Sequence, residues 1–92
     1  MLLAIKEIIE EAIDRRRFPR RKSYAPGTIQ PHDGGGSIEC ILEDVSISGA
    51  RLRLDGADAL PPFFMLIVPA ERIERNCMRS WTKGQRAGVR FR

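Results

Sequence analysis

From Ser37 to Val45 the chain alternates in polarity. Ile38, Cys40 and Leu42 fall on one side of an extended backbone, and Ser37, Glu39 and Glu43 on the other. A period of two predicts a half-buried strand. "ARLRL" repeats the pattern more cleanly, with Ala50, Leu52 and Leu54 opposed to Arg51 and Arg53. "KSYAPGTIQ" predicts an earlier strand with a break at Pro26 and Gly27, and "PHDGGG" a turn cluster. After the "DGADALPP" loop, "FFMLIV" is a short apolar strand whose faces periodicity does not separate. The inward face of the next strand, "RIERNCMRSW", is likewise unassigned. "TKGQ" is a turn, and "AGVRFR" closes the chain with Val89 and Phe91 on one face.

The first fourteen residues follow a different period. Leu2, Ile5, Ile9 and Ala12 recur at helical spacing, widened by Ile8 and Ile13, while Lys6, Glu7, Glu10, Glu11 and Asp14 fill the opposite side. This predicts an amphipathic helix over Met1 to Asp14. A helix so short needs a surface to bury against, whether its own domain, a partner or a second copy. Pro19 blocks its continuation. The chain thus divides into the helix, 1–14, and a domain, 15–92, that opens on an arginine-rich loop at 15–22. Six short strands with frequent turns predict an antiparallel β-barrel or sandwich. Closing the sheet would remove the exposed edges that threaten a small all-β domain. There are no internal repeats.

A chain of 92 residues supports one small domain. Its net charge of +4 hides a division. "RRRFPRRK", Arg15 to Lys22, contributes six positive charges, so the remainder sums to −2. Basicity confined to one stretch fits a small anionic partner better than a nucleic-acid polymer, whose binders spread Lys and Arg over a face. Two cysteines, Cys40 and Cys77, do not make a disulfide framework and read as buried free thiols. The only histidine, His32, lies in a turn, and Cys-x-x-Cys spacing is absent, so no metal site is expected. No apolar run reaches membrane-spanning length, and the charges at Lys6, Glu7, Glu10 and Glu11 come too early for a signal-peptide core. These features point to a reducing cytoplasm. No paired acid and nucleophile suggests an enzyme.

Two segments carry candidate chemistry. The arginine cluster offers planar forks of donors that match phosphate oxygens and the O6/N7 edge of guanine, with flat faces that stack on bases. Alone, such a cluster is usually a solvated patch. The second segment is "DVSISG", Asp44 to Gly49, between two well-patterned strands. It reads either as a plain turn with Gly49 at positive φ or as a ligand contact. In the second reading Asp44 and Ser46 project the same way from an extended segment. The carboxylate, aimed outward, accepts from guanine N1–H and N2–H₂, and the glycine permits close backbone approach.

Taken together, R-x-x-x-R (Arg16 to Arg20) followed by D-x-S-x-x-G (Asp44, Ser46, Gly49) resembles the PilZ domain family, bacterial receptors for the second messenger cyclic di-GMP. The resemblance extends from Arg15 to Arg92 and includes the "GARLRL" strand and the closing "GVRF". It implies a mainly β fold, a six-stranded antiparallel barrel here preceded by the N-terminal helix. It also implies that Arg16 and Arg20 bind phosphate and guanine, that Asp44 and Ser46 hydrogen-bond a guanine edge, and that Gly49 shapes the turn. An arginine at the position of Arg15 leans in the family towards a self-intercalated pair of ligands. Arg17 and Trp81 are additional candidates, Trp81 reading equally as barrel core. Many members carry a C-terminal helix after the last strand; this sequence has none there, and its N-terminal helix is an addition.

The resemblance implies a non-enzymatic receptor or adaptor without cofactor. Cyclic di-GMP would order the arginine loop over the barrel and reposition the helix towards a protein partner. A non-binding protein-interaction module, which could self-associate through the Leu2, Ile5 and Ile9 face, is the alternative. A nucleic-acid binder gives no role to Asp44, which would repel phosphate.

Overall fold

The computed structural model describes residues 21–92. The predicted helix at 1–14, and Arg15, Arg16, Arg17, Phe18, Pro19 and Arg20 of the arginine cluster, lie outside the described residues.

Six strands follow in order: β1 (Arg21–Pro31), β2 (Ile38–Val45), β3 (Gly49–Arg53), β4 (Phe63–Val68), β5 (Ile73–Lys83) and β6 (Arg86–Phe91). Every neighbouring pair is antiparallel, and the order β1-β2-β3-β6-β5-β4 closes into a barrel through pairing of β1 with β4. Closure gives every described strand two neighbours and so removes the wholly unpaired edge strands that a domain this small otherwise has to protect. The choice between barrel and sandwich is thus decided for the barrel.

The alternating patterns point inward as expected. Cys40 and Leu42 of β2 are buried, as are Ala50 and Leu52 of β3 and the following Leu54. β4, ambiguous from sequence, turns Phe64, Leu66 and Val68 into the core, each without solvent exposure. β5 contributes Cys77, and β6 contributes Ala87 and Val89. Phe64 is among the largest fully buried side chains, so truncating it to alanine would cost about 3–5 kcal/mol. The "DGADALPP" loop holds a short 3₁₀ turn, Ala57–Ala59, and buries Ala57 and Leu60 beneath the barrel.

β1 does not break at Pro26 and Gly27. It pairs with β2 straight through them, Pro26 opposite Ile41 and Gly27 opposite Cys40. Pairing with β4 begins only at Thr28, so Pro26 sits where β1 has one neighbour and the missing N–H is tolerated. The irregularity lies earlier, between Lys22 and Ala25, where β1 carries one residue more than β2 and Tyr24 adopts φ 57°.

Two further bulges reset the alternation. Leu42 pairs with Leu52 and Asp44 with Arg51, leaving Glu43 as an extra residue in β2. Arg79 pairs with Val89 and Trp81 with Gly88, leaving Ser80 extra in β5. A bulge shifts every following side chain to the other face. Strict alternation from Leu42 and Cys77 would have sent Asp44 and Trp81 into the core. The bulges turn both outward.

Candidate functional site

The three registers align one row of residues across the outside of the barrel. Asp44 faces Arg51, Arg51 faces Gly88, and Gly88 faces Trp81. On the other side Asp44 faces Lys22 of β1. The row therefore runs over five strands and ends, at Lys22, two residues from Arg20. Two residues of chain span at most ~7 Å. Pairing of β1 with β2 thus brings the end of the arginine cluster beside the "DVSISG" segment.

At the centre of the row is an ion-pair cluster. Arg51 Nη2 lies 2.8 Å from Asp44 Oδ2, and Arg51 Nε lies 3.6 Å from Glu43 Oε1. Arg86 Nε donates to Glu43 Oε1 at 2.8 Å. The bulge is the reason both carboxylates meet one arginine: it presents Glu43 and Asp44 side by side opposite Arg51. The hydrogen bond from Arg86, reinforced by the charges of Arg86, Arg51 and Arg53, holds the Glu43 carboxyl below its ordinary range.

Asp44 is on the outer face, but its carboxylate is not open to solvent. The residue is 2% exposed, covered where Arg51 reaches it. The free outward carboxylate expected from sequence is instead an acceptor already engaged by a neighbouring guanidinium. Ser46 also departs from expectation. β2 ends at Val45, and the Ser46 N–H donates to the Gly49 carbonyl at 2.8 Å, which closes a turn. Ser46 therefore does not continue an extended segment alongside Asp44. Its hydroxyl serves the turn, accepting from the Ser48 N–H at 3.4 Å.

Gly49 is not in a left-handed conformation, so a positive φ is not what the position requires. A Cβ there would collide with the Val89 carbonyl oxygen of β6. Glycine lets the turn sit tightly against β6, where the Phe91 N–H donates to the Ser48 carbonyl at 2.8 Å. Gly88 plays a comparable part: a Cβ at that position would run into the Trp81 indole. The ring lies across this bare stretch of backbone and stays 45% exposed, which excludes the core reading of Trp81.

Between these groups is a recess of about 270 Å³ whose walls include Gly49, Arg51, Trp81, Gly88 and Arg90. It offers an aromatic face and two guanidinium groups on a glycine-lined floor. Arg51, Gly88 and Arg90 were not singled out from the sequence. The signal for the arginines was present, since "ARLRL" and "GVRFR" alternate and send Arg51, Arg53 and Arg90 outward. The net −2 outside the arginine cluster concealed this, because residues 1–14 alone carry −3 and the barrel that follows the cluster, 23–92, sums to +1. Gly88 had no local signal, because its partner Trp81 is on another strand.

Among the described residues there is no group of three or more His, Cys, Asp or Glu side chains placed to hold a metal ion. No described helix is long and apolar enough to cross a membrane. Both cysteines are free and buried. Burial, with Cys77 nearby, pushes the Cys40 thiol up to about 12; burial likewise pushes Cys77 up to about 11.

No curated protein matches the chain. The family model for the PilZ domain, a non-enzymatic receptor domain that generally binds cyclic di-GMP, matches residues 14–92. The chain belongs to the PilZ domain family.

Proposed function

We propose that this domain is a cytoplasmic cyclic di-GMP receptor that signals to a protein partner without catalysis. The observation that carries the reading is the row from Lys22 to Trp81, with Asp44 and Arg51 at its centre and the arginine cluster entering at its end. A ligand with two phosphates and two guanines needs cationic forks for the first and a mixed donor–acceptor edge or flat surface for the second. Arg16 and Arg20 supply the forks from the loop, and Arg90 adds positive charge on the barrel. The Trp81 face and the recess beside Gly49 offer a base a flat surface.

Binding gathers the arginines around the phosphates, which cancel their mutual repulsion, and so orders the loop over the barrel. The helix preceding the loop is repositioned with it, and this movement is the signal. Arg15 favours a stacked pair of ligands over a single one. Ser46 and Gly49 contribute through the turn, and Arg17 through charge.

Isothermal titration calorimetry of the full chain with cyclic di-GMP tests the reading. Arg16→Ala, Arg20→Ala and Asp44→Ala are each expected to lower affinity at least ~10-fold, the equivalent of about 1.4 kcal/mol. Stoichiometry near two ligands per chain would support the stacked pair. Undiminished affinity in the variants would overturn the site. One observation favours the protein-interaction alternative: Asp44 is covered and paired with Arg51. That alternative predicts no heat from the wild-type chain.

A further inference from the structure

Strands of a small barrel keep apolar side chains inside and polar ones outside, in alternation. β4 departs from this rule. Phe64, Leu66 and Val68 fill the core, yet the outward residues Phe63, Met65 and Ile67 are apolar as well. Phe63 is 44% exposed, and Met65 and Ile67 are half-buried. Met78 of β5 lies opposite Phe63 and extends the stripe sideways. A single outward apolar side chain such as Ile41, set between Pro26 and Arg53, is ordinary. Three in succession along one strand, with a fourth beside them, make a patch that gains by being covered.

The two ends of the stripe carry opposite charge. Glu74 of β5 faces Ile67 at one end. It is exposed and has no hydrogen-bond or ion-pair partner among the described residues. At the other end the Arg92 guanidinium lies 5.2 Å from the centre of the Phe63 ring. Midway, Asn76 faces Met65, and its amide both donates and accepts.

That distribution decides what can cover the stripe. The cover must be apolar along its middle, basic over Glu74 and acidic over Arg92. The stripe itself meets this description when turned about a two-fold axis that crosses the strands at Met65. Phe63 and Ile67 stand two residues to either side of Met65, about 13 Å apart. The turn therefore lays Ile67 of one copy on Phe63 of the other and Met65 on Met65. Asn76 meets Asn76, and each Glu74 comes against the other copy's Arg92. Self-complementarity of this kind is what an isologous interface requires, and the two charge pairs fix its register.

We propose that the outer face of β4 is a self-association surface, on which two copies of this chain pair about a two-fold axis at Met65. The row from Lys22 to Trp81 crosses β1, β2, β3, β6 and β5 but not β4, so both rows stay open in the pair. The inference therefore does not rest on the ligand reading. A barrel wall is convex, which confines contact to the stripe and its flanking rows. Such an interface belongs to the small, reversible class, and the pair forms as protein concentration rises.

Sedimentation velocity and multi-angle light scattering on the full chain, over a series of protein concentrations, test this. The average mass should rise from one chain towards two. Met65→Lys changes an outward side chain and should hold the mass at one chain, with an unchanged circular dichroism spectrum. Glu74 and Arg92 are exposed, so reversing either charge keeps the fold. Glu74→Arg and Arg92→Glu should each raise the dissociation constant at least ~10-fold, because each sets like charges against one another. An equimolar mixture of these two variants should regain wild-type association, since opposite charges meet again at both ends. A mass of one chain at every concentration would overturn the proposal, whether the stripe is bare or covered by another part of the same chain. Association that survives Met65→Lys would also overturn it, placing the contact elsewhere, as on the Leu2, Ile5 and Ile9 face. A mixture no more associated than its two components would do the same.

Discussion

Arg51 and Asp44 face each other across β3 and β2, with Nη2 2.8 Å from Oδ2, and the same arginine lies beside Glu43. One cation thus serves two carboxylates that are almost completely buried. Arg51→Ala would remove a partner from both, although Arg86 would still hold Glu43. Loss of a charged partner at buried acceptors costs about 1–3 kcal/mol. The expected result in urea denaturation is a lower midpoint with an unchanged slope, partly restored in Arg51→Lys, whose ammonium reaches one carboxylate but lacks the fork. An unchanged midpoint in Arg51→Ala would mean that Asp44 is fully satisfied without it.

Gly49 is constrained by backbone rather than by side chains. An alanine methyl would meet the Val89 carbonyl, which belongs to the strand that Gly49 pairs beside. Relief would require β3 and β6 to separate, so Gly49→Ala should cost about 3 kcal/mol or more. Gly36→Ala is the matched control, since nothing lies within 4 Å of its Cβ and its φ is unexceptional. That variant should stay within about 0.5 kcal/mol of wild type. Thermal or chemical denaturation of the two variants checks both expectations, and a mild effect at Gly49 would contradict the close approach.

The strand content was legible because period-two patterning survives wherever a strand is regular, as in "ARLRL" and the first half of "SIECILEDV". The candidate residues stood out by type and spacing, but their environment did not. Asp44 and Trp81 both follow bulges, and a bulge is set by what the neighbouring strand does, which a local pattern does not contain. The same limit hid the coverage of Asp44, because its partner Arg51 comes from the next strand. Ser46 was misread because the turn that ends β2 closes through a backbone bond to Gly49, and extension alone carried no sign of it. Ambiguity in "FFMLIV" had a simpler cause: its outward residues, Phe63, Met65 and Ile67, are as apolar as its inward ones.

Trp81 is the sole tryptophan and lies over Gly88, so its emission reports on that contact directly. In Gly88→Ala the new methyl would meet the indole, a side chain that can swing aside, rather than fixed backbone. The fold should survive with a loss of about 1–2 kcal/mol. The indole should move into solvent, red-shifting its emission and raising its accessibility to acrylamide. Identical emission in the variant and the wild type would refute the contact.

The thiols of Cys40 and Cys77 are buried, and burial holds them at about 12 and about 11. At about pH 8 the thiolate of such a group is a fraction on the order of 10⁻³ or less. Neither cysteine should react with a disulfide reagent in the folded protein over a period in which the urea-unfolded chain reacts at both. Rapid labelling of the native chain at either position would show that the barrel wall opens far more readily than its closed topology suggests.

Glu71 ties β1 to the turn after β4, and its partners set a pH dependence. Hydrogen bonds from Arg21 and Ser23, together with the Arg21 charge, pull its carboxyl from the ordinary value of 4.5 down to about 2. A carboxyl depressed on folding stabilises the folded state above its unfolded value, and that stabilisation is lost as pH falls through the folded value. The contribution of Glu71 is therefore complete above about pH 5 and should fade between 4.5 and 2. Glu71→Gln removes the titration. The stability gap between wild type and variant should be widest near neutrality and should close in that acidic window. Glu43 is depressed too, but it is present in both proteins and cancels in the difference. Ser23→Ala should narrow the gap only in part, because Arg21 remains. A gap that stays constant from about pH 6 to about pH 2 would mean that the Arg21–Glu71 tie is not formed in solution.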